Sequence, residues 1–218
     1  MSSLNRVVVL LSGGIDSATA LYLTKQNTSE IYSLNITYTQ SYDSETEASK
    51  KIAAAATVKE HLTIYLPFFK DVERRYHPQP SSMISGAYVP ARNIIFYGVA
   101  ASYAEAFNAS TIVFGSNADD AKELPDAGPD FVRLMNELVK VGTRRGRELA
   151  PVQFVNPLNK YGKSEVLRLA IRLRVPLELT WSCHEDRQAP CGKCRGCEMR
   201  RKAFEEIGAI DPLRFTHD

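Results

Sequence analysis

The sequence of 218 residues contains 27 basic and 25 acidic side chains, and its formal net charge of +2 excludes the charge excess that is typical of proteins binding nucleic acid or membrane surfaces. With 44% hydrophobic and 24% charged residues, it is long enough to bury a core, which excludes a disordered chain. No run reaches the roughly 18 apolar residues of a membrane span, and residues 7–11 are too short for the core of a signal peptide. We therefore expect a cytoplasmic protein that acts on small molecules.

Short β-branched apolar runs alternate with segments of helical periodicity along the chain. Strands are predicted over 7–11, 31–36, 62–66, 111–114 and 152–155. Helices are predicted over 16–25, 44–56, 92–107, 129–144 and 163–174. Residues 67–90 contain many Pro and Ser residues and are predicted to form a long loop, whereas 180–197 are predicted to form a compact irregular knot.

This alternation predicts the fold class. Continuously apolar strands that are separated by helices favour an α/β fold with a doubly wound, parallel, five-stranded sheet covered on both faces and connected by right-handed crossovers. Ligands of such sheets bind beyond the carboxyl ends of the strands. We therefore expect the functional residues in the loops that follow the strands.

The stretch LSGGIDS lies between the first predicted strand and the first predicted helix. It contains neither the lysine of a Walker A loop nor the three spaced glycines of a Rossmann fingerprint. Gly13 and Gly14 allow the backbone to approach an anion, the first N–H groups of the helix point to one place, and Ser12 and Ser17 add hydroxyl groups. The stretch therefore predicts a diphosphate site. The alternative is a tight strand-to-helix turn in which Asp16 or Ser17 caps the helix.

The loop resembles the pyrophosphate loop of the N-type ATP pyrophosphatases, which split ATP between its α and β phosphates. This superfamily includes asparagine, GMP and NAD synthetases and tRNA-modifying enzymes, so the loop alone implies a half-reaction and leaves the acceptor open. The resemblance implies an ATP-binding segment of seven consecutive residues: Leu11, Ser12, Gly13, Gly14, Ile15, Asp16 and Ser17.

All four cysteines are close together near the end of the sequence. They are Cys183, Cys191, Cys194 and Cys197, in the frame C-x7-C-x2-C-x2-C. Gly192 and Gly196 allow the backbone of this segment to make tight turns. Four thiolates on such turns predict a closed and therefore structural zinc site. An iron–sulfur cluster is an alternative, while a redox pair or a disulfide is disfavoured because neither needs four clustered cysteines. His184 is a poor replacement ligand because it directly follows Cys183.

A pyrophosphate loop followed by a four-cysteine knot is similar to the arrangement of the 7-cyano-7-deazaguanine synthase family, QueC or ExsB. The resemblance extends through most of the chain: VPARN at 89–93 is similar to the family's V-P-x-R-N, and GSNADD at 115–120 to its G-x-N-x-x-D. TWSC at 180–183 and the Pro157-Leu158 pair with Lys163 also resemble family segments. The resemblance implies an ATP pyrophosphatase domain over 1–178 and a zinc-binding region over 179–218 packed on it.

The resemblance also implies the catalytic residues. They are Asp16, Ser17, Arg92, Asn93, Asp120 and Lys163, with Gly115 beside the nucleotide. Arg92 and Asn93 would face the nucleotide phosphates, and Asp120 would hold Mg²⁺ or an amino group of the substrate. Lys163 would face a phosphate, since a cation at a helix start is otherwise unfavourable. The alternatives are a capped helix with a solvated arginine, and an aspartate in a hydrated loop.

Two segments depart from the family pattern. Where the family has Y-G-Q-R-H, this chain has YTQSY at 38–42, which keeps Gln40 and is followed by Glu45. Where the family continues with Y-S-G-Y-P-D-C-R, residues 121–128 read AKELPDAG and keep only Pro125 and Asp126. The second segment would border the acceptor pocket, so the identity of the acceptor stays open.

The resemblance implies 7-carboxy-7-deazaguanine, ATP and ammonia as substrates, Mg²⁺ and structural zinc as cofactors, and a homodimer. The carboxylate would be adenylated and converted to an amide, and adenylation of the amide oxygen would then give the nitrile. One alternative is a related enzyme that adenylates a different carboxylate, amide or nucleobase. Another is a zinc-stabilised nucleotide- or tRNA-binding module without turnover, which retention of the whole loop disfavours.

Three further groups of residues carry weaker predictions. Arg144, Arg145 and Arg147 with Lys140 are predicted to form a solvated helix end, with a tRNA contact as the alternative. The four histidines are predicted to be ordinary loop or surface residues. Residues 76–88 are predicted to close over the nucleotide.

Overall fold

A five-stranded parallel sheet forms the centre of the protein. The computed structural model describes residues 6–38, 44–77, 88–148, 150–185, 189–213 and 215. The strands are β1 (Val7–Leu10), β2 (Ile31–Thr37), β3 (Glu60–Tyr65), β4 (Thr111–Val113) and β5 (Gln153–Val155). Their order is β3-β2-β1-β4-β5, and β1 pairs in register with β2 from Val7 opposite Ile31. The predicted parallel α/β sheet is confirmed.

Nine α-helices lie in the described part of the chain. They are α1 (Ile15–Lys25), α2 (Ser44–Ala56), α3 (Phe68–Arg75), α4 (Arg92–Ala106), α5 (Asp120–Glu123), α6 (Pro129–Gly142), α7 (Arg144–Arg147), α8 (Lys163–Arg172) and α9 (Arg195–Ile207). A 3₁₀ turn covers Leu177–Leu179. None of these helices has both the length and the apolar character needed to cross a bilayer.

The sheet is buried on both faces. Along β1, Val7 and Val9 pack into one core cluster and Val8 into the other, as the alternation of side chains in a strand requires. The first cluster is completed by α1, α2, α8 and α9, and the second by α4 and α6. The C-terminal helix α9 therefore contributes to the main core, where Phe204 is only 3% exposed.

Helix α3 lies inside the segment that was predicted to be a loop, so that prediction is wrong for Phe68–Arg75. The segment is amphipathic: Phe69 is fully buried, and Asp71 forms ion pairs with Arg74 and Arg75 along the helix surface. The Pro- and Ser-rich composition begins only after α3. Most of the segment predicted to close over the nucleotide, 78–87, lies outside the described residues.

The prediction that all histidines are loop or surface residues is wrong for His61. This histidine lies in β3, where its Nδ1 is 2.8 Å from the hydroxyl of Ser33 and its Nε2 is 3.4 Å from the hydroxyl of Ser49. Burial, and to a smaller extent the charge of Lys50, lower the pKa of His61. The ring therefore joins β2, β3 and α2, and the lowered pKa favours its neutral form.

The predicted helix over 129–144 ends at Gly142, and Thr143 begins the short helix α7 by accepting a hydrogen bond from the N–H of Gly146 at 3.1 Å. The basic stretch around it contacts the protein itself. Arg145 donates to the side chain of Asn108 at 2.8 Å, and Arg144 pairs with Glu148.

Candidate active site

The LSGGIDS stretch forms the loop between β1 and α1 and the first residues of α1, at the carboxyl edge of the sheet. Gly13 has a φ of +97°, and a Cβ atom there would lie 2.5 Å from the carbonyl oxygen of Glu45 and 3.0 Å from the nitrogen of Ser49. The loop therefore packs backbone against backbone on α2, which only glycine allows at this position. This long-range contact explains the first glycine of the motif more fully than turn geometry alone.

The loop presents hydrogen-bond donors to an open space. Helix α1 starts at Ile15 without a side-chain cap, so the positive end of its dipole is available. The Ser12 and Ser17 hydroxyl oxygens are 3.1 Å apart, and Ser17 Oγ also lies 3.1 Å from the carbonyl oxygen of Gly14. Ile15 as a whole residue is 1% exposed and belongs to the core, so its side chain does not contribute to an anion site.

The space is a cavity of about 880 Å³ at the carboxyl ends of the strands. Its walls include Leu11 and Ser12 from the loop, Ser17 from the first turn of α1, and Gly115 and Asp120 from the segment after β4. The volume suits one or two drug-sized ligands. The structure therefore brings together the phosphate loop and the G-x-N-x-x-D segment, which are a hundred residues apart in sequence.

Gly115 packs against the first turn of α1. A Cβ atom there would lie 2.5 Å from the carbonyl oxygen of Asp16 and 3.0 Å from the nitrogen of Ser17. The next residue, Ser116, lines the cavity, and its buried hydroxyl has no hydrogen-bond partner among the described residues. An unpaired buried hydroxyl is costly, so Ser116 is a candidate hydrogen-bond donor to a ligand in the cavity. Because Ser116 directly follows Gly115 in the G-x-N-x-x-D segment, its position in the sequence could have identified it as a candidate site residue.

Asp16 is fixed by two partners from distant parts of the chain. Its carboxylate accepts a hydrogen bond from the ammonium group of Lys163 at 2.8 Å and another from the amide of Asn117 at 2.7 Å. Asn117 is 1% exposed and was not among the predicted site residues. Lys163 lies in the wall of a second cavity, of about 410 Å³, together with Asp119 and other residues from α8 and α9. The positive charge of Lys163 is unfavourable at the start of α8, and in the structure the Asp16 carboxylate compensates for it.

Asp120 begins α5 and faces the large cavity. Its carboxylate accepts a hydrogen bond from the backbone N–H of Asn117 at 3.1 Å, and the Asn117 side chain accepts in turn from the N–H of Asp120 at 3.1 Å. Burial and then the charge of Asp16 raise the pKa of Asp120 above its ordinary value. Two carboxylates kept near each other in this way form an arrangement that a divalent cation would stabilise.

Arg92 and Asn93 begin α4, and both line the cavity. They follow Ala91, whose φ of 55° is left-handed. The side-chain amide of Asn93 donates to the carbonyl of Asp126 at 3.0 Å, and its backbone N–H lies 3.3 Å from the Asp126 carboxylate. Asn93 therefore holds the 121–128 segment, and its side-chain amide is engaged there.

Helix α3 supplies a part of the cavity wall that sequence reasoning missed. Glu73 and Tyr76 line the cavity, and Glu73 accepts a hydrogen bond from the Tyr38 hydroxyl at 2.8 Å. Burial, and next the bond to Glu73, raise the pKa of Tyr38, while the nearby Arg92 lowers it. Residues 39–42, which depart from the family pattern, lie outside the described residues.

The four cysteines converge on one point. Their sulfur atoms all lie within 4.8 Å of one another, with 4.0 Å between Cys191 and Cys197 and 3.9 Å between Cys183 and Cys194. These spacings are close to the roughly 3.8 Å expected between thiolates around a tetrahedral zinc ion with bonds of about 2.3 Å. All four thiols are free, so the disfavoured disulfide is absent here. The cluster could hold one metal ion.

The surrounding backbone fits this role. The N–H group of Cys191 donates to the sulfur of Cys183 at 3.4 Å, and that of Cys194 to the sulfur of Cys191 at 3.3 Å. Gly192 has a φ of +72°, and a Cβ atom on Gly196 would lie 1.9 Å from the carbonyl oxygen of Ser182. Both glycines of the knot are therefore required by its backbone, as predicted. Burial raises the pKa of the Cys183 thiol, so a bound cation would offset the cost of holding a thiolate there.

Comparison with known proteins agrees with this arrangement. The model of the family described as "Queuosine biosynthesis protein QueC" matches residues 6–208. The chain belongs to the QueC family. Its QueC relatives include the 7-cyano-7-deazaguanine synthase of Thermosynechococcus vestitus, which is 39% identical over 233 aligned residues that cover 99% of this chain and 98% of that protein. The synthase of Trichodesmium erythraeum is 40% identical, covering 95% of this chain and 99% of that protein. The family resemblance predicted from the motifs is confirmed.

A solved structure shows the same fold in another enzyme. The NH3-dependent NAD synthetase of Campylobacter jejuni, solved with a nitrate ion, has a TM-score of 0.52 and 22% identity to this QueC-family chain. The match covers 82% of this chain and 68% of that one. This likeness confirms the predicted fold.

Proposed function

We propose that this protein is a 7-cyano-7-deazaguanine synthase, which converts 7-carboxy-7-deazaguanine and ammonia to the nitrile at the expense of two ATP molecules. The observation that carries the proposal is that the proposed phosphate loop, the G-x-N-x-x-D segment and Cys183 of the cysteine cluster line one cavity, in a chain that matches such synthases over 99% of its length. The protein would act in queuosine or archaeosine biosynthesis.

In the first half-reaction, a carboxylate oxygen of the acid attacks the α-phosphorus of ATP in line, and the bond to the β-phosphate oxygen breaks. The diphosphate leaves towards the phosphate loop, where the N–H groups of α1 and the hydroxyls of Ser12 and Ser17 stabilise its charge. Ammonia then attacks the acyl carbon, loses a proton and displaces AMP to give the amide.

In the second half-reaction, the amide oxygen attacks a second ATP and diphosphate leaves again. Loss of AMP and of the two amide protons gives the nitrile. The protein contributes positioning and charge stabilisation, so neither step needs a covalent nucleophile. Arg92 at the cavity wall would neutralise anionic groups, while Asn93 would act through the 121–128 segment that it holds.

The cysteine cluster and the carboxylates fit two metal ions of different character. We assign structural zinc to the four thiolates, which leave no open position, and Mg²⁺ to Asp16 and Asp120, because hard cations prefer carboxylate oxygens. Mg²⁺ would neutralise the phosphate charge during transfer. We further propose an ATP pyrophosphatase domain over 1–178, a zinc region over 179–218, and a cytoplasmic location, where reducing conditions preserve free thiols.

The test is a reaction of the zinc-loaded protein with ATP, Mg²⁺, ammonium and 7-carboxy-7-deazaguanine, followed by mass spectrometry. We expect a base of nitrile mass and two AMP for each nitrile. Omitting ammonium should stop the nitrile while a first adenylation still consumes ATP. If AMP forms with another acid and never with this one, the acceptor assignment is wrong.

We also propose a homodimer, which the surface of α6 supports. Leu134, Leu138 and Val141 form an exposed apolar stripe, with 56%, 54% and 72% of each residue exposed. The flanking positions carry both signs of charge, including Arg133 and Glu137, so two antiparallel copies of the helix would be complementary. Light scattering should give twice the chain mass, and Leu138→Glu should give the single mass. A wild-type protein of single mass would contradict the dimer.

A further inference from the structure

The chain's one tryptophan lies between the phosphate loop and the cysteine cluster. The backbone N–H of Trp181 donates to the carbonyl of Gly13 at 2.9 Å, and its indole Nε1 donates to the carbonyl of Cys183 at 2.9 Å. Trp181 and Cys183 both line the large cavity. One residue therefore contacts the loop that would hold the phosphates and the first residue of the cluster.

The bond to Gly13 affects how the loop presents its donors. The carbonyl of Gly13 and the N–H of Gly14 belong to the same planar peptide group, so fixing one fixes the direction of the other. The carbonyl of Trp181 also packs close to Gly14, at 3.6 Å from the position of a Cβ atom there. Because Gly13 has a φ of +97° and glycine is flexible, the orientation of this peptide depends on contacts both inside the loop, where the Gly14 N–H donates to Ser12 Oγ at 3.4 Å, and outside it. Trp181 supplies one of them.

A buried arginine holds the residues immediately before Trp181. Arg200 is 1% exposed, and its guanidinium donates to the Thr180 hydroxyl at 2.7 Å and to the Leu177 carbonyl at 3.1 Å. Its charge is neutralised by Asp211, with contacts of 2.7 and 2.9 Å in a fork geometry. The Thr180 hydroxyl in turn donates to the Leu177 carbonyl at 2.7 Å. A buried, fully bonded arginine of this kind fixes the backbone that it contacts.

Arg200 is joined to the cysteine cluster through α9. Cys194 is the N-cap residue of this helix, and Cys197 lies in its first turn, three residues before Arg200. An ion held by the cysteines would therefore fix the start of the helix that carries Arg200. The contacts run without a gap from the cluster through α9, Arg200 and Thr180 to Trp181 and the phosphate loop.

We propose that Thr180, Trp181 and Arg200 are positioning residues that couple the cysteine cluster to ATP binding. Metal in the cluster and ATP at the loop would each strengthen the binding of the other, because both stabilise one arrangement of the segment between them. This inference rests on the ATP site proposed above. It gives the cluster a role in substrate binding in addition to its role in folding.

The first test needs no variant. The release of zinc from the wild-type protein to a chromophoric chelator is timed with and without the non-cleavable analogue α,β-methylene-ATP and Mg²⁺, while Trp181 fluorescence follows nucleotide binding. We expect the analogue to slow zinc release about fivefold or more and to change the fluorescence. Equal release rates at saturating analogue would overturn the coupling. Neither readout requires acid or ammonia, so a failure to form nitrile leaves this test intact.

The second test removes one link. Thr180→Val deletes the hydroxyl between Arg200 and Leu177 and keeps the side-chain shape, and Arg200→Lys tests the same link from α9. We expect full zinc content, a dissociation constant for the analogue raised about fivefold or more, and a smaller change in kcat at saturating ATP. Thr24→Val is the matched control, since it deletes a hydroxyl that donates to the Ala20 carbonyl within α1 and takes no part in the contacts of Arg200, Thr180 and Trp181. Wild-type nucleotide affinity in Thr180→Val would contradict the proposal.

Discussion

The phosphate loop proposed above and another wall of the same cavity, which we propose as the acceptor side, are constructed differently. The loop is short and local, and it is held by close backbone contacts at Gly13 and Gly115 that tolerate no side chain. The acceptor side is assembled from α3, the start of α4 and the 121–128 segment, and it depends on side-chain contacts such as that of Asn93 with Asp126. We therefore expect the loop to tolerate little change in its residues and the acceptor side to tolerate more.

The largest effect is expected where the loop meets α2. Gly13→Ala should lower ATP turnover about 100-fold or more, since its Cβ would collide with the Glu45 carbonyl and displace the loop. The measurement is AMP formation at saturating ATP. Gly98→Ala in α4 is the control, because its Cβ would have nothing within 4 Å and alanine favours a helix. Equal activity of the two variants would show that the loop tolerates a side chain.

Asp120→Asn should separate activity from stability. Loss of the carboxylate should lower AMP formation about 100-fold, because it removes charge that would hold the cation. Its pKa is raised in the folded protein, so the ionised group costs stability as pH rises through that pKa. The variant should therefore melt a few degrees higher than wild type near neutral pH, and this gain should disappear below the ordinary aspartate pKa.

The control for this change is Asp130→Asn, whose side chain is 91% exposed and lies on α6. It should alter neither activity nor melting temperature. An Asp120→Asn protein with a lowered melting temperature would show that the carboxylate is favourable in the folded state, against the direction of its pKa. The activity of the wild-type protein should also fall when the pH is lowered. Because the pKa of Asp120 is raised, this loss should begin at a higher pH than the ordinary pKa of an aspartate would predict.

A smaller effect is expected on the acceptor side. Asn93→Ala removes the side-chain bond to the Asp126 carbonyl and should raise KM for the acid about tenfold, with KM for ATP little changed. Steady-state kinetics with each substrate varied in turn measures the difference. Asn27→Ala, which changes an exposed amide at the end of α1, is the control. A rise in KM for ATP alone would assign Asn93 to the phosphate side.

The smallest effect is expected from Ser116→Ala. KM for ATP should rise about three- to tenfold if the hydroxyl donates to the nucleotide. The melting temperature of the free protein should not fall, because the hydroxyl has no partner among the described residues. Ser102→Ala, which removes an exposed hydroxyl on α4, serves as the control. An unchanged KM together with a lower melting temperature would indicate a structural role for Ser116.

Local patterns predicted much of this molecule. The five strands, the larger helices other than α3 and α9, the loop glycines and the cysteine frame were predicted because periodicity and spacing are properties of neighbouring residues. Helix α3 was missed because the Pro and Ser residues that follow it dominated the composition of the window. Asn117 was noticed only as part of the G-x-N-x-x-D segment and received no role, and Arg200 was missed because nothing in its immediate neighbourhood distinguishes it. Their importance comes from partners that are 101 and 20 residues away.

The sequence by itself determined the parallel α/β fold, the glycine-rich loop after the first strand, the clustering of the four cysteines and the family. Only the tertiary structure decided that Lys163 pairs with Asp16, that Asn93 holds the 121–128 segment, and that Trp181 contacts Gly13. The physical reason is that a motif fixes which groups follow one another, while the packing of helices on the sheet fixes which groups meet. Hydrogen bonds and charges act over a few ångströms, so the roles of these residues depend on contacts formed only when the chain folds.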